Sequence, residues 1–213
     1  MLTVKIFTFN PLQENTYLIH NEKGECIIVD PGCYDEGERD ALADHIRTHD
    51  LRPALLLQTH CHLDHVFGVK FVAETWGLEP HFHPLEQQLF DLAPTGGLMW
   101  NMPFDGWAGA CHHLPADKPV FFGEDRLDVL FTPGHSPGSL SFYHAEGGWV
   151  IAGDVLFQQS VGRSDLPGGD FPTLEHSIRE VLYRLPDETV VLSGHGPSTT
   201  IGHEKKWNPY VPG

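Results

Sequence analysis

Ala54-Leu55-Leu56-Leu57-Gln58-Thr59-His60-Cys61-His62-Leu63-Asp64-His65 is the stretch from which the rest of the chain can be read. Its apolar start reads as a buried strand, and Val66 to Trp76, just beyond it, predicts a helix. Three imidazoles and a carboxylate therefore fall on a short loop where a strand ends and a helix begins. In α/β folds, functional sites gather at such strand ends. His60, His62, Asp64 and His65 are all metal-ligand types. A polar loop that is merely His-rich is the bland alternative, since the chain has 15 histidines.

Three further turns weigh against that alternative. Gly134-His135-Ser136-Pro137-Gly138, Gly153-Asp154 and Gly194-His195-Gly196-Pro197 each follow an apolar run, at Leu127 to Phe131, Trp149 to Ala152 and Val190 to Leu192. Each reads as a strand ending in a tight turn that presents one ligand type. Five histidines and two aspartates result. That is more than one tetrahedral zinc uses, and it suits two metals sharing a ligand.

The order His-x-His-x-Asp-His, Gly-His, Gly-Asp, Gly-His resembles the metallo-β-lactamase superfamily. Two finer features make it similar to the short, single-domain glyoxalase II-like hydrolases of bacteria. They are Gly153 to Phe157 running on to Gly162-Arg163-Ser164-Asp165, and the tail Gly194 to Glu204 with Asn208-Pro209. The resemblance implies an α/β fold, a four-layer αββα sandwich with the site along one edge between the sheets. It also implies one metal on His60, His62 and His135, a second on Asp64, His65 and His195, and Asp154 bridging both. The metals would be two divalent ions, zinc first, with iron or manganese as alternatives. The implied reaction is hydrolysis of a thioester such as S-lactoylglutathione by attack of a metal-bound hydroxide, with Asp64 and Asp154 as the catalytic carboxylates. Arg163 is the implied substrate contact, suited to a carboxylate, and its alternative is an internal pair with Asp165 or Glu204. Asp30 would accept from a ligand imidazole or simply end a strand in an Asx turn.

The chain departs from the long glyoxalase II enzymes in two ways. Asp165 stands where they carry an aromatic residue. Only about 18 residues follow His195, so a C-terminal helical domain that grips glutathione is not expected. The runner-up is a persulfide dioxygenase with a single iron on His60, His135 and Asp154. A β-lactamase and a transfer-RNA nuclease rank lower, and a non-catalytic metal-binding protein is the alternative from outside the enzymes.

Composition sets the remaining bounds. The 213 residues predict one domain, with net charge −16 disfavouring nucleic acid and anionic membranes as partners. No apolar run is long enough to span a bilayer and no signal segment is visible, so a cytoplasmic protein acting on a small molecule is expected. Oligomeric state is not legible. Cys26, Cys33, Cys61 and Cys111 are expected as reduced thiols, with Cys61 a buried side chain turned away from the ligands. His81, His83, His112 and His113 read as surface residues. Helices are expected over Glu38 to Asp50 and Thr173 to Leu185, the latter capped by Thr173. Residues 84 to 118 read as an irregular, aromatic-rich insertion that either walls or covers the site or packs as a satellite cluster on the scaffold.

Overall fold

Alternation along the strands dictates the layering. The structure, a computed structural model, describes residues 2–116 and 118–213. Strands β1 (Thr3–Phe9), β2 (Glu14–His20) and β3 (Glu25–Val29) form an antiparallel meander. β4 (Arg52–Leu57), β5 (Pro80–Phe82) and β6 (His112–His113) extend it in parallel to six strands. A second six-stranded sheet has the order β14-β13-β10-β9-β8-β7. Its members are β7 (Val120–Phe122), β8 (Asp125–Phe131), β9 (Leu140–His144), β10 (Trp149–Gly153), β13 (Val190–Ser193) and β14 (Thr199–Thr200). A small hairpin, β11 (Leu156–Phe157) with β12 (Ser160–Val161), follows β10.

Side chains two apart share a face. Tyr17, Ile19, Ile27, Val29 and Leu57 of the first sheet therefore pack against Leu127, Val129, Leu140, Phe142, Ile151 and Leu192 of the second. The intervening Leu18, Ile28 and Leu56 face outward, onto α1 (Glu36–Thr48) and α3 (Val69–Trp76). On the far side Val150, Ala152 and Val191 pack on α5 (Phe171–Glu180) and α6 (Ile201–Trp207). Helix, sheet, sheet, helix is the expected four-layer αββα order. Among the described residues no helix is long and apolar enough to cross a membrane.

Four local expectations are corrected. The first helix starts two residues earlier, because the Asp35 side chain accepts the Glu38 N–H and caps it. The helix after the His-rich loop is split into α2 (Leu63–Val66) and α3, with the Gly68 N–H diverted to the Pro31 carbonyl. Asp170, not Thr173, caps α5, which ends at Glu180 and gives way to a 3-10 turn at Leu182–Arg184. The segment expected to be irregular holds a 3-10 turn at Pro84–Glu86 and the 13-residue α4 (Gln87–Met99), despite Pro94 within it. Residue 117 of that segment lies outside the described residues.

Phe142 is fully buried at the centre of the inter-sheet core. Phe142→Ala is expected to cost about 3–5 kcal/mol through lost burial and the cavity left behind. Chemical denaturation compared with wild type measures this directly.

Candidate metal centre

Five of the seven predicted side chains arrive at the end of a strand or on the turn after it, and two on the short helix that follows the first such loop. β4 runs into the loop of His60 and His62, and α2 carries Asp64 and His65. His135 follows β8, Asp154 follows β10 and His195 follows β13. All seven meet in one place. His62 Nδ1 lies 2.8 Å from His135 Nε2, and His60 Nε2 lies 3.2 Å from the same atom. His195 Nε2 is 3.1 Å from Asp64 Oδ2. Asp154 stands between the two groups. Its Oδ1 is 3.4 Å from His65 Nε2, and its Oδ2 is 3.6 Å from both His135 Nε2 and His195 Nε2. Donor atoms of His60, His62 and His135 fall within 4.8 Å of one another, as do those of Asp64, His65 and His195. Gly194 keeps this space open, since a Cβ there would sit 2.1 Å from Asp154 Oδ1.

The outward-facing nitrogens show which inward ones carry lone pairs. His135 Nδ1 is 2.7 Å from the Arg163 carbonyl, and His195 Nδ1 is 3.0 Å from that of Leu12. Carbonyls only accept, so both Nδ1 atoms are donors and both Nε2 atoms are acceptors when the rings are neutral. Thr59 gives its hydroxyl proton to Asp30 Oδ2 at 2.5 Å, so it accepts from His60 Nδ1 at 3.0 Å. Asp30 Oδ2 also takes His65 Nδ1 at 3.1 Å, and Asp30 Oδ1 takes the Thr59 N–H at 2.6 Å. Asp30 therefore has the role of acceptor for an imidazole.

The acceptor ends of His60 and His135 consequently face each other with no hydrogen between them. Protonation does not relieve this near neutrality. Burial holds His60 and His135 below the usual imidazole range, and burial with the nearby His135 takes His62 down to about 3. On the other side, burial opposes charge on His65, but the Asp154 and Asp64 carboxylates outweigh it and hold this ring well above its ordinary value. Burial likewise opposes ionisation of Asp154, and the His65 charge overrides it. His62 Nε2, His65 Nε2 and Asp154 Oδ1 are buried without a hydrogen-bond partner. Buried polar atoms of this kind are costly unless paired or metal-bound. Every ion pair of Asp64 and Asp154 among the described residues is with a histidine. A set of imidazole nitrogens and carboxylate oxygens turned inward on one point fits divalent cations.

Arg163 adopts the internal pairing named as its alternative. Its guanidinium pairs at the surface with Asp165, at 2.8 and 3.0 Å, and only its carbonyl reaches the cluster. Cys61 is buried and its thiol lies outside both donor groups, as expected. All four cysteines are free. His112 pairs with Glu79, His113 with Gln87, and His83 caps the turn at Pro84, so none joins the cluster. Sequence reasoning passed over Thr59, Gln58 and Glu86. Thr59 sits beside the first histidine and only its neighbour relation to Asp30 gives it a role.

A family model described as the Metallo-beta-lactamase superfamily matches residues 9–195. The chain is 40% identical over 204 residues to the probable metallo-hydrolase YqgX of Bacillus subtilis, covering 95% of this chain and 94% of the relative. It is 33% identical over 216 residues to hydroxyacylglutathione hydrolase GloC of Haemophilus influenzae, covering 99% and 98%. Among solved structures, BLEG-1 B3 metallo-beta-lactamase is similar with TM-score 0.91 and 38% identity, covering 99% and 100% of the two chains. TTHA1623 in a di-iron-bound form gives 0.88 and 40%, covering 97% and 100%. ETHE1 from Myxococcus xanthus gives 0.80 and 26%, covering 98% and 84%.

Asp30 holds a left-handed backbone, φ 49°, which Asp and Asn tolerate better than other residues with a Cβ. Asp30→Ala is expected to destabilise the metal-free protein by about 2–5 kcal/mol, because three buried donors lose an acceptor. Asp30→Asn, which keeps the backbone preference and one acceptor oxygen, is expected to cost clearly less. Denaturant titration of both variants checks the order.

Proposed function

Because the chain belongs to the metallo-beta-lactamase superfamily, we propose that it is a metal-dependent, glyoxalase II-like hydrolase of a small-molecule thioester such as S-lactoylglutathione. The observation that carries the metal requirement is the meeting of acceptor nitrogens from His60 and His135 at 3.2 Å with burial opposing their protonation. The near full-length likeness to GloC supports the thioester class.

In this reading His60, His62 and His135 hold one ion, and Asp64, His65 and His195 hold the other. Asp154 reaches both, since its two oxygens already face histidines of the two groups. Two divalent ions, zinc with iron or manganese as alternatives, supply Lewis acidity that brings the pKa of a water toward neutrality and polarises a carbonyl. The protein's own contribution is placement. Asp30 sets His60 through Thr59 and sets His65 directly, while main-chain carbonyls of Arg163 and Leu12 set His135 and His195.

Metal-loaded protein is expected to hydrolyse S-lactoylglutathione. Asp154→Ala should lower kcat/KM by more than about 100-fold, beyond the effect of losing a supporting residue. Loss of the thioester absorbance measures both. Turnover of a β-lactam, or oxygen uptake with glutathione persulfide, in place of thioester loss would overturn the proposal. These alternatives are set by the likeness to BLEG-1 and to ETHE1, respectively.

In our reading α4, which packs on the helix bearing Asp64 and His65, supplies a substrate surface. The Cβ position of Gly96 is 4.0 Å from Leu63 Cδ2. Its end exposes Leu98, Met99 and Trp100, the last at 58%. In our reading Trp100 lines the acyl side and Arg163, once released from Asp165, meets a carboxylate. Trp100→Ala and Arg163→Ala are each expected to raise KM several-fold with kcat little changed, the signature of lost uniform binding. An unchanged KM in steady-state kinetics would remove that residue from the substrate surface.

A further inference from the structure

Glu86 is a fully buried acid that none of the chemistry above uses. It closes the 3-10 turn at Pro84–Glu86 and leads directly into α4. Its Oε2 accepts the Cys61 N–H at 2.8 Å, and its Oε1 accepts the Gly138 N–H at 2.6 Å. Cys61 lies between His60 and His62, and Gly138 lies three residues after His135. One carboxylate thus ties together the two loops that carry the first group of imidazoles. The only other backbone bond found between these loops, among the described residues, is Leu140 N–H to the Thr59 carbonyl at 2.8 Å. Gly138 is shaped to this contact. A Cβ there would fall 2.8 Å from Glu86 Cγ and 3.0 Å from Oε1, so no side chain fits while the acid is in place.

We propose that Glu86 is a positioning residue for the His60, His62 and His135 group, holding both loops by their amides so that the three donor nitrogens keep their spacing. A carboxylate suits this role because it accepts on both oxygens, whereas an amide would turn one donor toward a donor. The second group is held from elsewhere, His65 by Asp30 and His195 by the carbonyls of Leu12 and Gln13. The effect of Glu86 is therefore confined to one side of the centre. Because α4 starts at the next residue, the same acid also sits at the root of the helix that ends just before Trp100. This inference rests on the cluster being a metal centre, as proposed above.

Zinc affinity measured by competition with a chromophoric chelator tests it, on wild type, Glu86→Gln, Glu86→Ala and His62→Ala. The His62 variant marks which bound equivalent belongs to the first group. Glu86→Gln is expected to weaken that equivalent about 10–100-fold, the usual range for residues that orient ligands, and to leave the other unchanged. Equal affinities in Glu86→Gln and wild type, or equal weakening of both equivalents as a loosened fold would give, overturns the proposal. If Glu86→Ala does not fold, the isosteric Gln variant alone decides. A wild type that binds one ion, weakened by His62→Ala, overturns the two-metal reading and leaves Glu86 to be judged on that ion. An ion indifferent to His62→Ala, or no ion, overturns both.

Discussion

The candidate centre depends on Asp30, a buried acid that orients imidazoles of both donor groups. Its carboxylate receives the Thr59 amide, the Thr59 hydroxyl and His65 Nδ1. Through Thr59 it also settles which nitrogen of His60 bears hydrogen. Two imidazoles from opposite groups of the centre are thus oriented by one buried acid at the end of β3. The acid can reach them because β3 and β4 pair in parallel, with Val29 opposite Leu57, so both strands deliver their final residues to the same edge. Parallel pairing is what lets a residue from position 30 meet one from position 59. An antiparallel partner would have sent its C-terminal end to the other side of the sheet.

The second sheet answers with the same device. β10 and β13 also run parallel, and their ends release Asp154 and His195 side by side. The Asn15 amide bonds to the Gly194 carbonyl, and its side chain bonds to those of Ser193 and Gly196, tying the two sheets together at that edge. Stability and chemistry are therefore coupled there. The inter-sheet core of Tyr17, Leu57, Phe142 and Ile151 sets the distance between the sheets, and that distance sets how closely histidines from each sheet approach. In this arrangement buried imidazoles face one another at under 3.5 Å, a contact that core packing must hold against electrostatic cost.

What was legible in the sequence was whatever carried its signal locally. His60 to His65 lie within six residues, and each later donor sits beside a glycine after an apolar run, so strand ends and ligand types could be read together. The apolar runs Leu127 to Phe131, Trp149 to Ala152 and Val190 to Leu192 were likewise readable as strands. The sheet order, by contrast, came from resemblance, because periodicity says which face a residue takes and not which strand lies beside it. α4 was missed for a physical reason. Pro94, Gly96 and Gly97 are poor helix formers in isolation, and here tertiary packing overrides them. A Cβ on Gly97 would meet the Met102 carbonyl at 2.6 Å and the Phe104 ring at 2.9 Å, so the glycine is a packing contact. The α5 cap was displaced because Asp170 stands three residues before Thr173 and accepts its N–H, a better acceptor at the right spacing than the one chosen.

Arg163 and Glu86 expose the deeper limit of reading side chains one at a time. A basic residue in the Gly-Arg-Ser-Asp turn invites a role for its charge, yet the guanidinium rests on Asp165 while its peptide carbonyl fixes His135. That service is independent of residue type, so nothing in residue identity announces it. What the position does require is conformational: a Cβ on the preceding Gly162 would lie 1.8 Å from the Asp154 carbonyl. Glu86 is the reverse case. Its side chain ties two loops together, but its oxygens accept from backbone amides 25 and 52 residues away. No local pattern records such a pairing. The donors of this centre are written in the sequence, and the residues that aim them emerge only when loops distant in the chain are brought to one edge.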